Sequence, residues 1–502
     1  MSSHASQGIE FDEPLIFERG APGRTGLSLP PLDVPAVEPA DVFGALARRT
    51  PARLPEVSEP EVVRHYTRLS QKNFGIDTAF YPLGSCTMKY NPRVNEWAAR
   101  LPGFSRLHPY TPEDHMQGAL ELMLRLERQL AEICGMDGVS LHPAAGAQGE
   151  LTGLMMLRAF FRSQGRSPRK VLIPDSAHGT NPASCALNGL DAVAFPSGPD
   201  GVVEPETVAR LCEKHTGDVA AIMLTNPNTL GLFETHILQL SKIVHDAGGL
   251  VYGDGANLNA LLGRARPGDL GIDVMQFNLH KTFTTPHGGG GPGSGPVGFK
   301  RFLEPFRPSP VVKEVGEGGT ITYTLDHDRP QTVGRLRSFY GNWGMMLRAF
   351  AYITEMGHDG LRAAAEAAVL NANYLRARLG DTLQVAYPGV CMHEVVFTDR
   401  DLCKELGSKT VTMDLAKRLL DHGFHAPTVY FPLVVPGALM VEPTETETRQ
   451  TLDDFVETVK GVVKELREDP ARAHGAPFNT RLRRLDEARA ARKPVLRWTP
   501  KE

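Results

Sequence analysis

The segment LVYGDGANLNALLGRARPGDLGIDVMQFNLHK, residues 250–281, decides the fold. Its apolar runs 250–252 and 274–277 are short, and each leads into a polar cluster, Gly253 to Asn257 after the first and Asn278 to Lys281 after the second. Such runs read as strands, with the chain between them returning as one βα unit. Upstream, 171–173 and 220–224 are further strand candidates. Helix spacing covers 208–214 and 236–246, the latter closing on Gly248 and Gly249 as a helix C-terminus does. Amphipathic spacing also runs from Met116 to Cys134. Strands alternating with helices between about 138 and 300 predict an α/β fold, a mostly parallel sheet covered by helices. In such sheets ligands sit beyond the carboxyl ends of the strands.

The flanks differ in character. Prolines 30, 31, 35, 39, 51, 55 and 60 make residues 1–70 an extended N-terminal arm, either wrapped on a partner subunit or loose. Residues 80–92, broken by Pro82, Gly84 and Pro92, must be a loop. The large domain is expected over 71–345. After it come a long helix at 361–379, short strands at 395–397 and 439–441, and a helix at 445–466. That pattern predicts a smaller α+β C-terminal domain, 346–502, ending in an arginine-rich tail from Pro470 that is either solvated or a subunit contact.

With 502 residues and 41% hydrophobic content the chain can bury a large core. A formal charge of −4 argues against nucleic acid as the main partner. No apolar run approaches the roughly 18–20 residues that would span a bilayer. The six cysteines show no CxxC pair or metal-ligand spacing and read as reduced thiols, which with the absence of a signal-like N-terminus predicts a cytoplasmic protein.

Lys281 follows an apolar strand and precedes Thr282 and the glycine-rich run 288–291. A lysine partly buried at a strand end, beside a cationic ring, is suited to form an imine, although most lysines are surface charges. Asp254 ends the preceding strand, where a carboxylate can keep a pyridine nitrogen protonated; a turn-capping aspartate is the competing reading. The stretch 143–150 contains Gly146, Ala147, Gln148 and Gly149 just before an apolar helix, Leu151 to Phe161. Small residues in a turn at a helix start let N–H groups approach a phosphate. No GxGxxG or P-loop is present. His178, after strand 171–173, can stack on a ring and carry a proton; a plain loop histidine is the alternative. Thr225 and Asn226 follow strand 220–224, where a ring hydroxyl or substrate carboxylate would lie, unless they form only an asparagine–proline turn. Five such features in order along one βα segment point to pyridoxal phosphate.

The motifs FYPLGSCTMKYNP (80–92), HPAAGAQGE (142–150), IPDSAHGTNPAS (173–184), LTNPNTLGLFE (224–234), YGDGANLNA (252–260), NLHKTFTTPHGGGGPGSGPVG (278–298), PTETET (443–448) and LDEARAARKPVLRW (485–498) resemble those of the glycine decarboxylases, the P-proteins of the glycine cleavage system. The resemblance covers nearly the whole chain and is closest to the separate, lysine-carrying second subunit. Gly253 stands where alanine is expected. The resemblance implies a fold-type-I pyridoxal-phosphate architecture with a seven-stranded-type sheet. It implies Lys281, His178 and Asp254 as catalytic residues, and Gly146, Ala147, Gln148, Ala256, Thr225, Asn226 and His280 as cofactor contacts. Glycine is the implied substrate and the lipoylated H-protein the acceptor. The first P-protein subunit is the implied partner, in an α2β2 assembly. The loop 288–295 would line the channel for the lipoyl arm, shape a lid, or serve only structure. Other readings are a desulfurase-like enzyme of the same fold, with Cys86 as its only loop cysteine, and a non-catalytic subunit. Arg335 and Arg337 are undiagnostic candidates for the substrate carboxylate.

Overall fold

A computed structural model of the chain describes residues 13–50, 52–286, 291–317 and 319–499. Residues 288–290 of the glycine-rich loop therefore lie outside the described residues.

Phe80–Ala476 forms one compact unit. Its large sheet comprises β1 (Gly138–Ser140), β2 (Lys170–Pro174), β3 (Asp191–Phe195), β4 (Val219–Thr225), β5 (Leu250–Gly255), β6 (Val274–Phe277) and β7 (Val297–Phe299), in the order β1-β7-β6-β5-β4-β2-β3. The pairs β3–β2, β2–β4, β4–β5 and β5–β6 are parallel, while β7 runs antiparallel to both β6 and β1. Six of the seven strands thus run in one direction, β7 alone being reversed, and the sheet is the α/β arrangement expected. β5 and β6 are buried at every position, which is why they read as unbroken apolar runs rather than alternating ones. Flanking helices include Gln117–Cys134, Gly146–Ser163, Thr180–Leu187, Pro205–Lys214 and Ile237–Asp246. Gln117–Cys134 stops at Gly135, whose φ of 67° only glycine adopts without strain.

The helix expected at Leu151 begins earlier. Gly146–Gly149, read as a turn, is the first turn of the helix Gly146–Ser163 itself. Ala145 is extended (φ −161°), and Gln148 Oε1 accepts from the Ala144 N–H at 2.7 Å, closing the entry. Glycine is tolerated because space is short. A Cβ at Gly149 would lie 2.7 Å from the Gly295 carbonyl oxygen and 2.8 Å from Gln276 Cβ.

Further along, β8 (Val311–Glu317) and β9 (Thr320–Asp326) form a hairpin. The helix Trp343–Leu379 breaks at Gly357 (φ 59°, ψ −173°). A second sheet holds β10 (Gln384–Val385), β11 (Val395–Thr398), β12 (Thr428–Val429) and β13 (Ala438–Val441), ordered β10-β11-β13-β12 and antiparallel throughout. Loop 80–92 is irregular, as its prolines require, but Leu83 bridges to Val441.

Met1–Ala79 and Pro477–Glu502 form the other unit. Its helix Glu59–Ser70 opens with a Ser58/Glu61 capping box. Buried Glu13 accepts from His65 and Arg68 and pairs with Arg19. Phe17 stacks on Trp498 at 4.9 Å, so the arginine-rich tail is packed against the arm. Among the described residues no helix is long and apolar enough to cross a membrane.

Candidate active site

The carboxyl ends of β2, β4, β5 and β6 converge on a cleft of about 170 Å³. Of the residues singled out in the sequence, Gly146, Ala147, His178, Thr225, Asp254, Ala256 and Lys281 line it. Each is delivered by a strand end or by the helix start that follows one.

Lys281 sits in the single turn Leu279–Thr282 immediately after β6. That turn is tied down on three sides. Leu279 N–H donates to Ser294 O at 3.1 Å, Leu258 N–H to Thr282 Oγ1 at 2.9 Å, and the buried Lys89 ammonium to Thr282 O at 2.7 Å. Lys89 also pairs with Glu445 Oε1 at 2.8 Å.

Asp254, at the end of β5, is 3% exposed. Asn181 Nδ2 donates to its Oδ2 at 3.0 Å, the Ala256 N–H to its Oδ1 at 3.1 Å, and Gln276 Nε2 also to Oδ1. Three donors thus fix the orientation of this buried carboxyl. Behind it lies Glu150, which accepts from Thr180 Oγ1 (2.6 Å) and Ser184 Oγ (2.9 Å). Burial and then the charge of Asp254 push the Glu150 carboxyl up to about 7. His178 Nδ1 contacts Thr180 Oγ1 at 2.8 Å. Burial holds its imidazole below the ordinary range, against the pull of Asp254.

Three of the expected contacts lie outside the cleft lining. Gln148 closes the helix entry and reaches Leu336 O at 3.4 Å. Asn226 Oδ1 accepts from the Glu234 N–H at 3.0 Å, bracing the loop after β4. His280 Nδ1 accepts from the Ser294 N–H at 3.3 Å. Arg335 and Arg337 do not line the cleft either, and Arg337 donates to Asn342 Oδ1 at 2.7 Å.

Sequence reasoning passed over Ser85, Glu150, Asn257, Asn278, His393 and Glu394, all of which line the cleft. Glu150 stood at the end of a quoted motif, four residues after Gly146 and so one helical turn along. His393 and Glu394 come from a segment more than a hundred residues beyond Lys281, with no local pattern to mark them.

The cleft fits a polar ring carrying an anionic group. Gly146 and Ala147 begin a helix, where unpaired N–H groups and the helix dipole favour an anion. Buried Thr225 Oγ1, Asn181 Oδ1, Gln276 Oε1 and Asn278 Oδ1 have no hydrogen-bond partner among the described residues. Buried polar atoms in that state call for a ligand or water. A lysine amine and an acceptor carboxylate complete the set that pyridoxal phosphate requires.

Residues 364–477 match the family described as glycine dehydrogenase, C-terminal domain. A protein named probable glycine dehydrogenase (decarboxylating) subunit 2 from Listeria monocytogenes serotype 4a is 55% identical over 492 residues, 98% of this chain and 99% of its own. The protein of the same name from Caldanaerobacter subterraneus subsp. tengcongensis is 54% identical over 97% of this chain and 98% of its own. Among solved structures, an inhibitor-bound glycine decarboxylase (P-protein) of the glycine cleavage system superposes with a TM-score of 0.71. It is 22% identical, over 85% of this chain and 95% of that one. A cysteine desulfurase from Escherichia coli superposes at 0.56, with 16% identity, over 77% of this chain and 95% of that one. These likenesses place the fold among the fold-type-I architectures.

Proposed function

The chain belongs to the glycine dehydrogenase (decarboxylating) subunit 2 family, and from that premise we propose that it is the catalytic subunit of a glycine-cleaving P-protein. It decarboxylates glycine with pyridoxal phosphate and passes the aminomethyl group to the lipoyl arm of H-protein, releasing CO2. One observation carries the reading: Lys281, Asp254 and the helix start at Gly146 and Ala147 face one cleft at the carboxyl edge of the sheet.

Bound there, pyridoxal phosphate supplies an electron sink that weakens the bond to the substrate carboxylate. The protein's own residues do the rest. Lys281 would offer the amine that holds the cofactor. Asp254, fixed by three donors, would hold a proton on the ring nitrogen of the cofactor. Gly146 and Ala147 receive the phosphate on backbone N–H groups. His178 would flank the ring, while Thr225 and Ala256 border the cleft on the β4 and β5 ends. Gln148, Asn226 and His280 act one step removed, holding the loops that present these groups.

The other P-protein subunit is the partner, in an α2β2 assembly, and the compartment is the cytoplasm. In support of the latter, all six cysteines are free thiols. The desulfurase reading lacks support. The Cys86 thiol is pushed up by burial, the reverse of what an acceptor thiolate needs.

The test is an absorbance spectrum of the chain with pyridoxal phosphate, before and after borohydride. Wild type is expected to show a visible band that borohydride fixes on Lys281, and Lys281→Ala none. Equal labelling of both would remove Lys281 from its role.

A further inference from the structure

Glu394 precedes β11 and Glu442 follows β13, neighbouring strands joined by the Val395↔Val441 pair. Their carboxyls are 3% and 0% exposed, and with His393 they bring oxygen and nitrogen atoms within 4.8 Å of one another. Their surroundings are unequal. Glu442 accepts from Thr87 Oγ1 (2.6 Å), the Thr87 N–H (3.2 Å), Asn257 Nδ2 (3.0 Å) and Asn259 Nδ2 (3.0 Å). Glu394 accepts only from the Ser85 N–H, at 2.9 Å, among the described residues.

Glu442 is met by four donors and Glu394 by one, so a buried, sparsely bonded carboxyl beside a second carboxyl favours its neutral form at Glu394. Of the two, Glu394 is the carboxyl placed to keep a proton. Burial, and then Glu442, push the Glu394 carboxyl up to about 8. The other groups facing it do not reverse this. Lys281 draws it down, the His393 imidazole is held neutral by burial, and the Cys86 thiol is raised by burial. Ser85 and Thr87, which present the donors, have φ of 67° and 28°, a conformation non-glycine residues seldom take away from functional sites. Glu394 lines the cleft together with Lys281, and His393 Nδ1 beside it has no partner.

We propose that Glu394 is the acid that protonates the leaving sulfur when the lipoyl disulfide is opened. The inference rests on the function proposed above. The glycine carbon, with the electron pair left behind by CO2, bonds to one sulfur of the dithiolane. The S–S bond breaks, the disulfide is reduced by that pair, and the carbon is oxidised. The departing sulfur takes the proton of Glu394, whose carboxylate recovers one from solvent. An ordinary thiol, with a pKa of about 8.5, is closely matched to such an acid.

Infrared spectra of the cofactor-free chain read the neutral carboxyl directly. The wild type minus Glu394→Gln difference should contain a carboxylic-acid band at neutral pH, fading with a midpoint near pH 8. In Glu442→Gln, with the neighbouring charge gone, it should fade at lower pH. With the partner subunit and lipoylated H-protein, Glu394→Gln should lose transfer rate by ~10²–10⁴-fold and the alkaline limb of the pH profile. Borohydride should still fix its cofactor on Lys281. A missing acid band overturns the proposal alone, as does an unchanged rate and profile, or a Glu394→Gln chain that no longer takes up cofactor. Failure of the wild type to be labelled on Lys281 overturns the proposed function as well, so the two failures are read apart.

Discussion

Replacing Lys89 should damage the site from behind. Its side chain is 4% exposed and pairs with a Glu445 side chain that is 12% exposed. Its three ammonium hydrogens go to Glu445 Oε1 (2.8 Å), Thr282 O (2.7 Å) and Tyr352 OH (3.2 Å), so none is spare. Lys89→Met would leave a buried carboxylate and the carbonyl next to Lys281 without a donor, a loss of about 3–5 kcal/mol. The double variant Lys89→Met/Glu445→Met, which removes both charges, should recover most of that. Urea unfolding of the cofactor-free chains, with borohydride labelling of Lys281 as the functional readout, gives the comparison. Burial opposes the Lys89 charge, but Glu445 and Tyr352 outweigh it and its pKa is raised. The contribution is therefore fully present below the unfolded value of about 10.4 and lost only as pH climbs through the higher folded one. Between about pH 6 and 9 the penalty should be flat. A Lys89→Met loss under about 1 kcal/mol, or a double variant no better than the single, would refute the account.

Glu150 has the opposite linkage, because its folded pKa of about 7 exceeds the ordinary carboxyl value. The folded chain binds that proton more tightly, so cofactor-free stability should fall as pH rises from about 4.5 to 7, by an order of 2 kcal/mol. Glu150→Gln should flatten this slope in urea midpoints taken across that range, and parallel slopes would count against it. Gly149→Ala places a Cβ 2.7 Å from the Gly295 carbonyl oxygen and should cost ~1–3 kcal/mol while shifting the helix start. A pyridoxal-phosphate titration should show weaker uptake; unchanged affinity would free that helix start from phosphate binding.

Patterns with short range were legible in the sequence. The buried strands β4 to β6 are continuous apolar runs, and the polar groups at their ends could be placed on one edge of a parallel sheet before any coordinates. The 143–150 stretch shows the limit. Its glycines looked like a turn because glycine disfavours helices. They begin the helix instead, and at Gly149 any larger residue would collide with Gly295 and Gln276. That collision involves a segment about 150 residues away in the chain. Gln148, Asn226 and His280 sat within the right motifs, but neighbouring backbone engages Gln148 Oε1, Asn226 Oδ1 and His280 Nδ1.

The sequence by itself determined the parallel α/β framework and the order of the strand-end residues, because periodicity and strand-end chemistry are written over a few residues at a time. Only the tertiary structure decided which carboxyls stand alone and which lie side by side. Glu394 and Glu442 lie 48 positions apart and meet across paired strands, and their donors come from the 85–87 turn and the loop after β5. Proton affinity depends on burial and on neighbouring charge, and both are set by segments brought together from distant parts of the chain.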